Sequence, residues 1–221
     1  MLRHIGRPSY KAVLTDNMER GKYRFFDVND LPGNMMILML NLTHQDPVKR
    51  EVIQNKDFRI GLSHAIDREE LNQIIYAGTS EPWQAAPRAG TELYDEELAK
   101  QYTEFDLDLA NEYLDKAGLT ERGPDGMRVR PDGERLTFAM DVLSHWKTQT
   151  DALELIKGYW NKVGIDMQVR PIERSLSITK RKKNDFDANV WIGGGGYDML
   201  GLLDPKWYFP YEYQSSFASA W

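Results

Sequence analysis

Residues 136–192 constrain the fold most, because their apolar side chains switch between two periods in a fixed order. Leu136, Phe138, Met140 and Val142 alternate as in a strand, and Leu153, Ile156, Trp160 and Val163 then recur at helical spacing until Gly164 stops them. Ile165, Met167 and Val169 alternate again. A second helical segment over residues 173–183 leads to a third strand, with Phe186, Ala188, Val190 and Ile192 on one side. Strand and helix in this order, joined by short connections, predict three parallel strands in one sheet with right-handed crossovers and helices packed on it. The chain is therefore read as α/β, with a βαβαβ unit. Upstream, residues 35–42 form a nearly continuous apolar run, as expected of a strand covered on both faces. Residues 22–26 suggest a short strand, and 31–34 a turn.

In an open α/β sheet, ligands bind outside the carboxyl ends of the strands. That rule selects residues 144–146 (Ser144, His145, Trp146), 172–174 (Ile172, Glu173, Arg174) and 193–198, which include Gly194, Gly195, Tyr197 and Asp198. Indole, imidazole, a guanidinium, carboxylates and flexible backbone suit a polar organic solute stacked on aromatic faces and fixed by directed hydrogen bonds. Trp191 lies opposite the apolar side of its strand, beside Asp187 and Asn189, so it reads as a ligand contact or as core. The four glycines at 193–196 allow close backbone approach. They do not form a phosphate loop, because no Gly-Lys-Ser/Thr follows.

A second organised stretch, residues 57–78, reads DFRIGLSHAIDREELNQIIYAG. It predicts two helices broken at Asp67, with Asp67 as amino-terminal cap, Glu70 completing a capping box, Ile66 and Leu71 as a hydrophobic staple, and Gly78 as a left-handed cap. This stretch resembles a signature of the family 5 extracellular solute-binding proteins, the oligopeptide- and dipeptide-binding components of bacterial ABC importers. The family's strand ending in Asn corresponds to MMILMLNL with Asn41, its Arg-containing helix to Arg59, and its Ala-Ile-Asp-Arg-Glu step to Ala65, Ile66, Asp67, Arg68 and Glu69. Gly78, the Pro-containing loop to Pro87, LANEYLDKAGL and NKVGIDMQV continue the match, which spans roughly residues 20–210.

The resemblance implies a periplasmic-binding-protein-like lobe of the type II class, with a mixed sheet and flanking helices. It implies an amino-terminal segment, 1–34, belonging to a hinge or partner lobe. A ligand-binding lobe follows at 35–206, and then an aromatic tail, 207–221, leading back to a lobe outside this chain and loose without it. It further implies non-catalytic capture of a peptide or similar polar solute between two lobes, delivery to an ABC permease, and a periplasmic or extracytoplasmic, membrane-associated location. Family members commonly hold a peptide amino terminus with an Asp after the Trp. Asp198 is the matching carboxylate here, although the spacing from Trp191 departs from the pattern. The strand-end stretches and the loop carrying Trp83 would face the other lobe. Oligosaccharides and other solutes are also carried by the family, and six tryptophans would suit sugar stacking.

Other chemistries find weaker support. A net charge of −6 argues against general nucleic-acid or anionic-membrane binding, and the lack of cysteine excludes disulfides and thiolate metal sites. No apolar run approaches the ~20 residues that span a bilayer, and residues 1–10 lack the apolar stretch of a signal peptide, which fits an excised segment. The stretch containing Gly61, Ser63 and Ala65 is a near miss to the nucleophile-elbow pattern, but Ser63 lies inside a predicted helix. His4, His44, His64 and His145 lack metal-site spacing, and no cofactor is expected. Glu96 with Glu97 and Asp106 with Asp108 read as solvated faces. The basic run 180–183 reads as cations at a helix carboxyl end; an interaction domain using it would bind polyanions salt-sensitively. An α/β hydrolase using Asp198, Glu173 and His145 is the enzyme alternative.

Overall fold

A computed structural model describes residues 10–26, 33–193 and 200–220. In chain order the elements are α1 (Lys11–Asp16), α2 (Met18–Gly21), β1 (Asn34–Leu40), α3 (Pro47–Gln54), α4 (Lys56–His64), α5 (Arg68–Tyr76), α6 (Glu96–Lys100) and α7 (Leu107–Lys116). Then come β2 (Thr137–Leu143), α8 (Lys147–Lys162), β3 (Asp166–Ile172), α9 (Arg174–Lys182), β4 (Ala188–Gly193), α10 (Leu200–Leu203) and a 3-10 turn, Pro205–Trp207. The sheet order is β1-β4-β2-β3. β2 runs parallel to both β3 and β4, while β1 is antiparallel to β4. The expected βαβαβ unit is present, with α8 and α9 as its crossovers.

The two faces of the sheet differ in chemistry because side chains alternate along each strand. Phe138, Met140, Val142, Met167, Ala188 and Val190 join one apolar core with Leu153, Ile156 and Trp160 of α8 and with Phe58, Leu62, Leu71 and Leu114 of the other helices. The other face carries Asp141, Asp187, Asn189 and Trp191 and meets α9. β1 differs from its expectation: of its seven residues only Met39 is buried. The reason is topological, since among the described residues β1 is an edge strand with one neighbour, and apolar composition alone does not place a strand in the interior.

The helix pair is as expected, with one exchange of partners. Asp67 Oδ1 accepts from the Glu70 amide at 2.8 Å, and Gly78 has a φ of 68°, following Ala77 at 53°. The Glu70 carboxylate does not return to Asp67; it accepts the Tyr159 hydroxyl at 2.7 Å and so fastens α5 to α8. The signature arginines close helix ends. Arg59 donates to the carbonyls of Ile53 and Gln54 at the end of α3, at 2.7 and 2.6 Å, and Arg68 donates to Ser63 O of α4 at 2.8 Å. Burial pushes the Arg68 guanidinium down to about 10. Asn41, fully buried, donates to Phe186 O and Asn184 Oδ1, both at 2.9 Å, tying the end of β1 to the start of β4.

Three other expectations change. Residues 23–26 form no strand; Tyr23 folds back, its hydroxyl donating to Leu14 O. The two Pro-Asp-Gly triplets, 124–126 and 131–133, predict an exposed hairpin-like excursion, and their glycines, Gly126 and Gly133, build it with φ of 81° and 86°. It is not simply exposed, because Arg128 between the turns is 1% exposed and donates to Asp115, Asn111 and the carbonyls of Leu119 and Val163. The aromatic tail, expected to be loose, is pinned: Leu42 N donates to Phe217 O at 2.7 Å, Ala220 N to Thr43 Oγ1 at 3.2 Å, and Ser215 and Ser216 are fully buried. These contacts lie where β1 ends and β4 begins, opposite the carboxyl ends of the parallel strands.

Candidate functional site

Because β2, β3 and β4 are parallel, their carboxyl ends open on the same side. Trp146 sits at the amino-terminal cap of α8, just past β2, and Trp191 lies near the end of β4; their ring centres are 4.9 Å apart and tilted by 58°. Arg174, the first residue of α9, places its guanidinium 5.7 Å from the Trp191 ring centre. His145 is exposed and meets Trp146 edge-on at 6.0 Å. The Ser144 hydroxyl donates to Glu173 Oε1 at 2.8 Å, linking the ends of β2 and β3. The structure thus brings Trp146, Trp191 and Arg174 together, with His145 at their edge. Gly194, Gly195, Tyr197 and Asp198 lie outside the described residues. Among the described residues His145 makes no hydrogen bond to Glu173, so these two are not arranged as an acid–base pair.

Arg181 and Asn189, which sequence reasoning did not select, complete the cluster. The Arg181 guanidinium lies 5.0 Å from the Trp191 ring centre. Its spacing of seven from Arg174 puts both on one face of α9, and that spacing was the available signal. The basic run does supply the last turn of α9, as expected, and within it Arg181 is 7% exposed and Lys180 reaches Asp141 at 3.1 Å. Arg181 donates from one terminal nitrogen to Ser216 Oγ at 3.3 Å, while its Nε has no partner. Burial lowers its pKa, as does the charge of Arg174, with Tyr213 and Glu212 acting in the opposite sense. Asn189, 3% exposed, leaves both its amide nitrogen and oxygen unpaired. Buried polar atoms ordinarily find partners.

Trp83 is placed apart from this cluster. It stacks on Tyr94 with ring centres 5.8 Å apart, and Lys100 Nζ lies 4.4 Å from its own ring centre. Its loop is joined to the sheet by Asn34, which donates to Gln84 O at 2.9 Å. Trp83 lines a groove of about 1300 Å³ along the outer edge of β1, bounded by Arg59, Tyr76, Gln84, Trp207 and Phe217. Ser63, the residue of the near-miss elbow, also borders this groove. It lies in α4, donates to Tyr102 O at 2.7 Å and accepts from Arg68 at 2.7 Å, so it serves as a structural junction.

The cluster of Trp146, Trp191 and Arg174 thus lies at the carboxyl ends of the parallel strands, the side on which open α/β sheets bind ligands. The family described as bacterial extracellular solute-binding proteins, family 5, middle region, matches residues 5–214. The chain belongs to that family. An oligopeptide-binding protein OppA is 34% identical, with a TM-score of 0.80 over 90% of this chain and 31% of its own. The oligopeptide-binding protein AppA of Bacillus subtilis is 21% identical over 146 residues, 66% of this chain and 27% of AppA. A structure of AppA with a nonapeptide has a TM-score of 0.63 over 85% of this chain and 40% of that one. The periplasmic binding protein MelB of Agrobacterium fabrum, in complex with stachyose, is 18% identical, with a TM-score of 0.63 over 84% of this chain and 29% of its own. The chain thus spans about a third of the length of these relatives.

Proposed function

We propose that this chain forms part of the solute-binding component of an ABC importer. Residues 35–206 act as one ligand-binding lobe, and a peptide or similar polar solute is held at the carboxyl ends of β2, β3 and β4. The observation that carries this reading is the meeting of Trp146, Trp191 and Arg174, which come from three separate strand ends. Two indoles supply broad, rigid contact area and the guanidinium a directed charge. Capture follows from closure of a second lobe over the strand ends, which expels water and strengthens each polar contact. The closed form then docks on a permease outside the cytoplasmic membrane. No bond of the solute is broken. In this reading Gly194, Gly195, Tyr197 and Asp198, which follow β4 in the sequence, add further solute contacts, and the Asp198 carboxylate suits a solute amine.

The second reading is an oligosaccharide. It is favoured by the Trp146 and Trp191 pair, since an indole face packs against a sugar ring as readily as against a peptide. Thermal unfolding of the chain with a tripeptide mixture and, separately, with a linear hexasaccharide distinguishes the two. The expected result is a saturable rise in Tm with one class, reduced in Trp191→Ala and Trp146→Ala. Equal and unsaturable responses to both classes would remove the solute-binding assignment from these residues.

A further inference from the structure

We infer that the groove along the outer edge of β1 is a second binding site, which takes an extended acidic peptide segment of another polypeptide as an added strand. It lies apart from the cluster at the parallel strand ends and does not depend on it. The backbone of β1 is set to pair. Asn41 N donates to Asp187 O, just before β4, at 2.9 Å, whereas Leu42 N turns the other way and donates to Phe217 O at 2.7 Å. Main-chain groups alternate in direction along an antiparallel strand, so Ile37 and Met39 serve β4, and Leu38 and Leu40 turn their N–H and C=O groups outward along the groove. Among the described residues β1 has no second strand neighbour. The bond from Leu42 shows that this edge accepts backbone from a distant segment, and the residues before it repeat the same geometry with their outward side open. Such edges recruit strands through main-chain bonds, while the side chains around them set the selectivity.

Charge selects the occupant. The groove is lined by Lys56, Arg59, Arg68 and Arg88 but by one carboxylate, Glu81, which Lys100 already holds at 2.9 Å. The chain as a whole has a net charge of −6, so its sign is reversed here. Lys56 and Arg59 stand three residues apart on one face of α4, and among the described residues neither is in an ion pair. Arg59 reaches the carbonyls that end α3 through a single terminal nitrogen, which leaves its other donors for a carboxylate. Ile60, Leu62, Ile66 and Trp160 give the groove an apolar lining beside these cations. A segment carrying both carboxylates and apolar side chains answers both, whereas a basic segment is repelled.

The probe is acetyl-Val-Glu-Val-Glu-Val-Glu-amide, titrated into the intact 221-residue chain and followed through assigned backbone amide resonances and their hydrogen exchange. The Leu38 and Leu40 amides are expected to shift saturably and to exchange at least about tenfold more slowly with the peptide bound; the Met39 amide, which faces β4, moves less. The analogue with lysine in place of glutamate is expected to bind at least about tenfold more weakly, and Lys56→Glu, at an exposed position, to reduce that preference. Two further analogues are N-methylated at the valines or at the glutamates. One of them should lose binding, because a strand pairs with β1 through one of its two edges.

No saturable shift, equal binding of the lysine peptide, an unchanged preference in Lys56→Glu, or full affinity of both N-methylated analogues overturns the site. Shifts centred on the Trp191 indole N–H, with Leu38 and Leu40 unmoved, also overturn it, and leave the solute site at the strand ends standing. If Leu38 and Leu40 become protected as the protein concentration rises and the peptide does not displace that pairing, the occupant is a second copy and the proposal falls. Binding at Leu38 and Leu40 with Trp191 unmoved supports the groove, whatever the strand ends hold.

Discussion

Asp187 illustrates how a single residue organises the polar face of the sheet. Burial raises its pKa, but hydrogen bonds from His44 Nε2 at 2.8 Å and the Ala139 amide at 2.8 Å, together with Lys49 at 3.2 Å, more than reverse this and hold the carboxylate well below 3.8. His44 is set for the role, because its Nδ1 accepts from the Asp46 amide at 3.0 Å and leaves the ring proton on Nε2. A carboxylate with a depressed folded-state pKa contributes its stability in full above the unfolded value and loses it as the pH falls through the folded value. Asp187→Asn should therefore cost about 2 kcal/mol near neutrality, a fall in Tm of roughly 4–8 °C. The gap to the parent should close as the pH drops below 3.8, which Tm measured across an acid series will check. Arg128 organises its surroundings in a similar way: its guanidinium donates to two carbonyls and two side chains from the interior. Arg128→Met removes this donor from the carbonyls of Leu119 and Val163, while Asn111 Oδ1 keeps Arg122, with an expected loss of about 3 kcal/mol in urea unfolding.

Between elements, α4 and α7 cross closely at Gly61. A Cβ there would lie 2.8 Å from Leu114 Cγ and 2.9 Å from the Ala110 carbonyl oxygen. The glycine of the near-miss elbow thus has a packing cause, and its helical position explains why no nucleophile is presented. Gly61→Ala should lower stability by about 1–3 kcal/mol through overpacking, in spite of alanine's better helix propensity. A rise in the urea midpoint would contradict that account. The boundaries at Asp67, Gly78 and Gly164 were legible because their signals are local: Asp67 caps α5, and Gly78 and Gly164 take φ of 68° and 81° just beyond α5 and α8. α9 was legible as a helix but not as a surface. Its sequence is too polar to reveal that Ser177 and Arg181 turn inward.

Across the whole molecule, the open edge of β1 is the feature that local reasoning misread. Met35 is 48% exposed, and among the described residues the strand pairs with β4 alone. A long apolar edge without an edge-facing charge or proline invites pairing with another chain. The chain by itself should associate as concentration rises, and Met35→Lys should suppress this in sedimentation velocity; equal association of both forms would exclude β1 as the contact.

The sequence by itself determined the βαβαβ order, the helix pair and its caps, and the candidates Trp146, Trp191 and Arg174, because each follows from spacing within a few residues and from the rule that parallel strands end together. Tertiary structure decided the rest. That Arg181 reaches Trp191 instead of water, that Arg128 is interior, that Trp83 belongs to a separate groove, and that the tail is fastened beside Thr43 all depend on contacts between residues distant along the chain. Such contacts are set by which buried groups must find partners, and no local period records them.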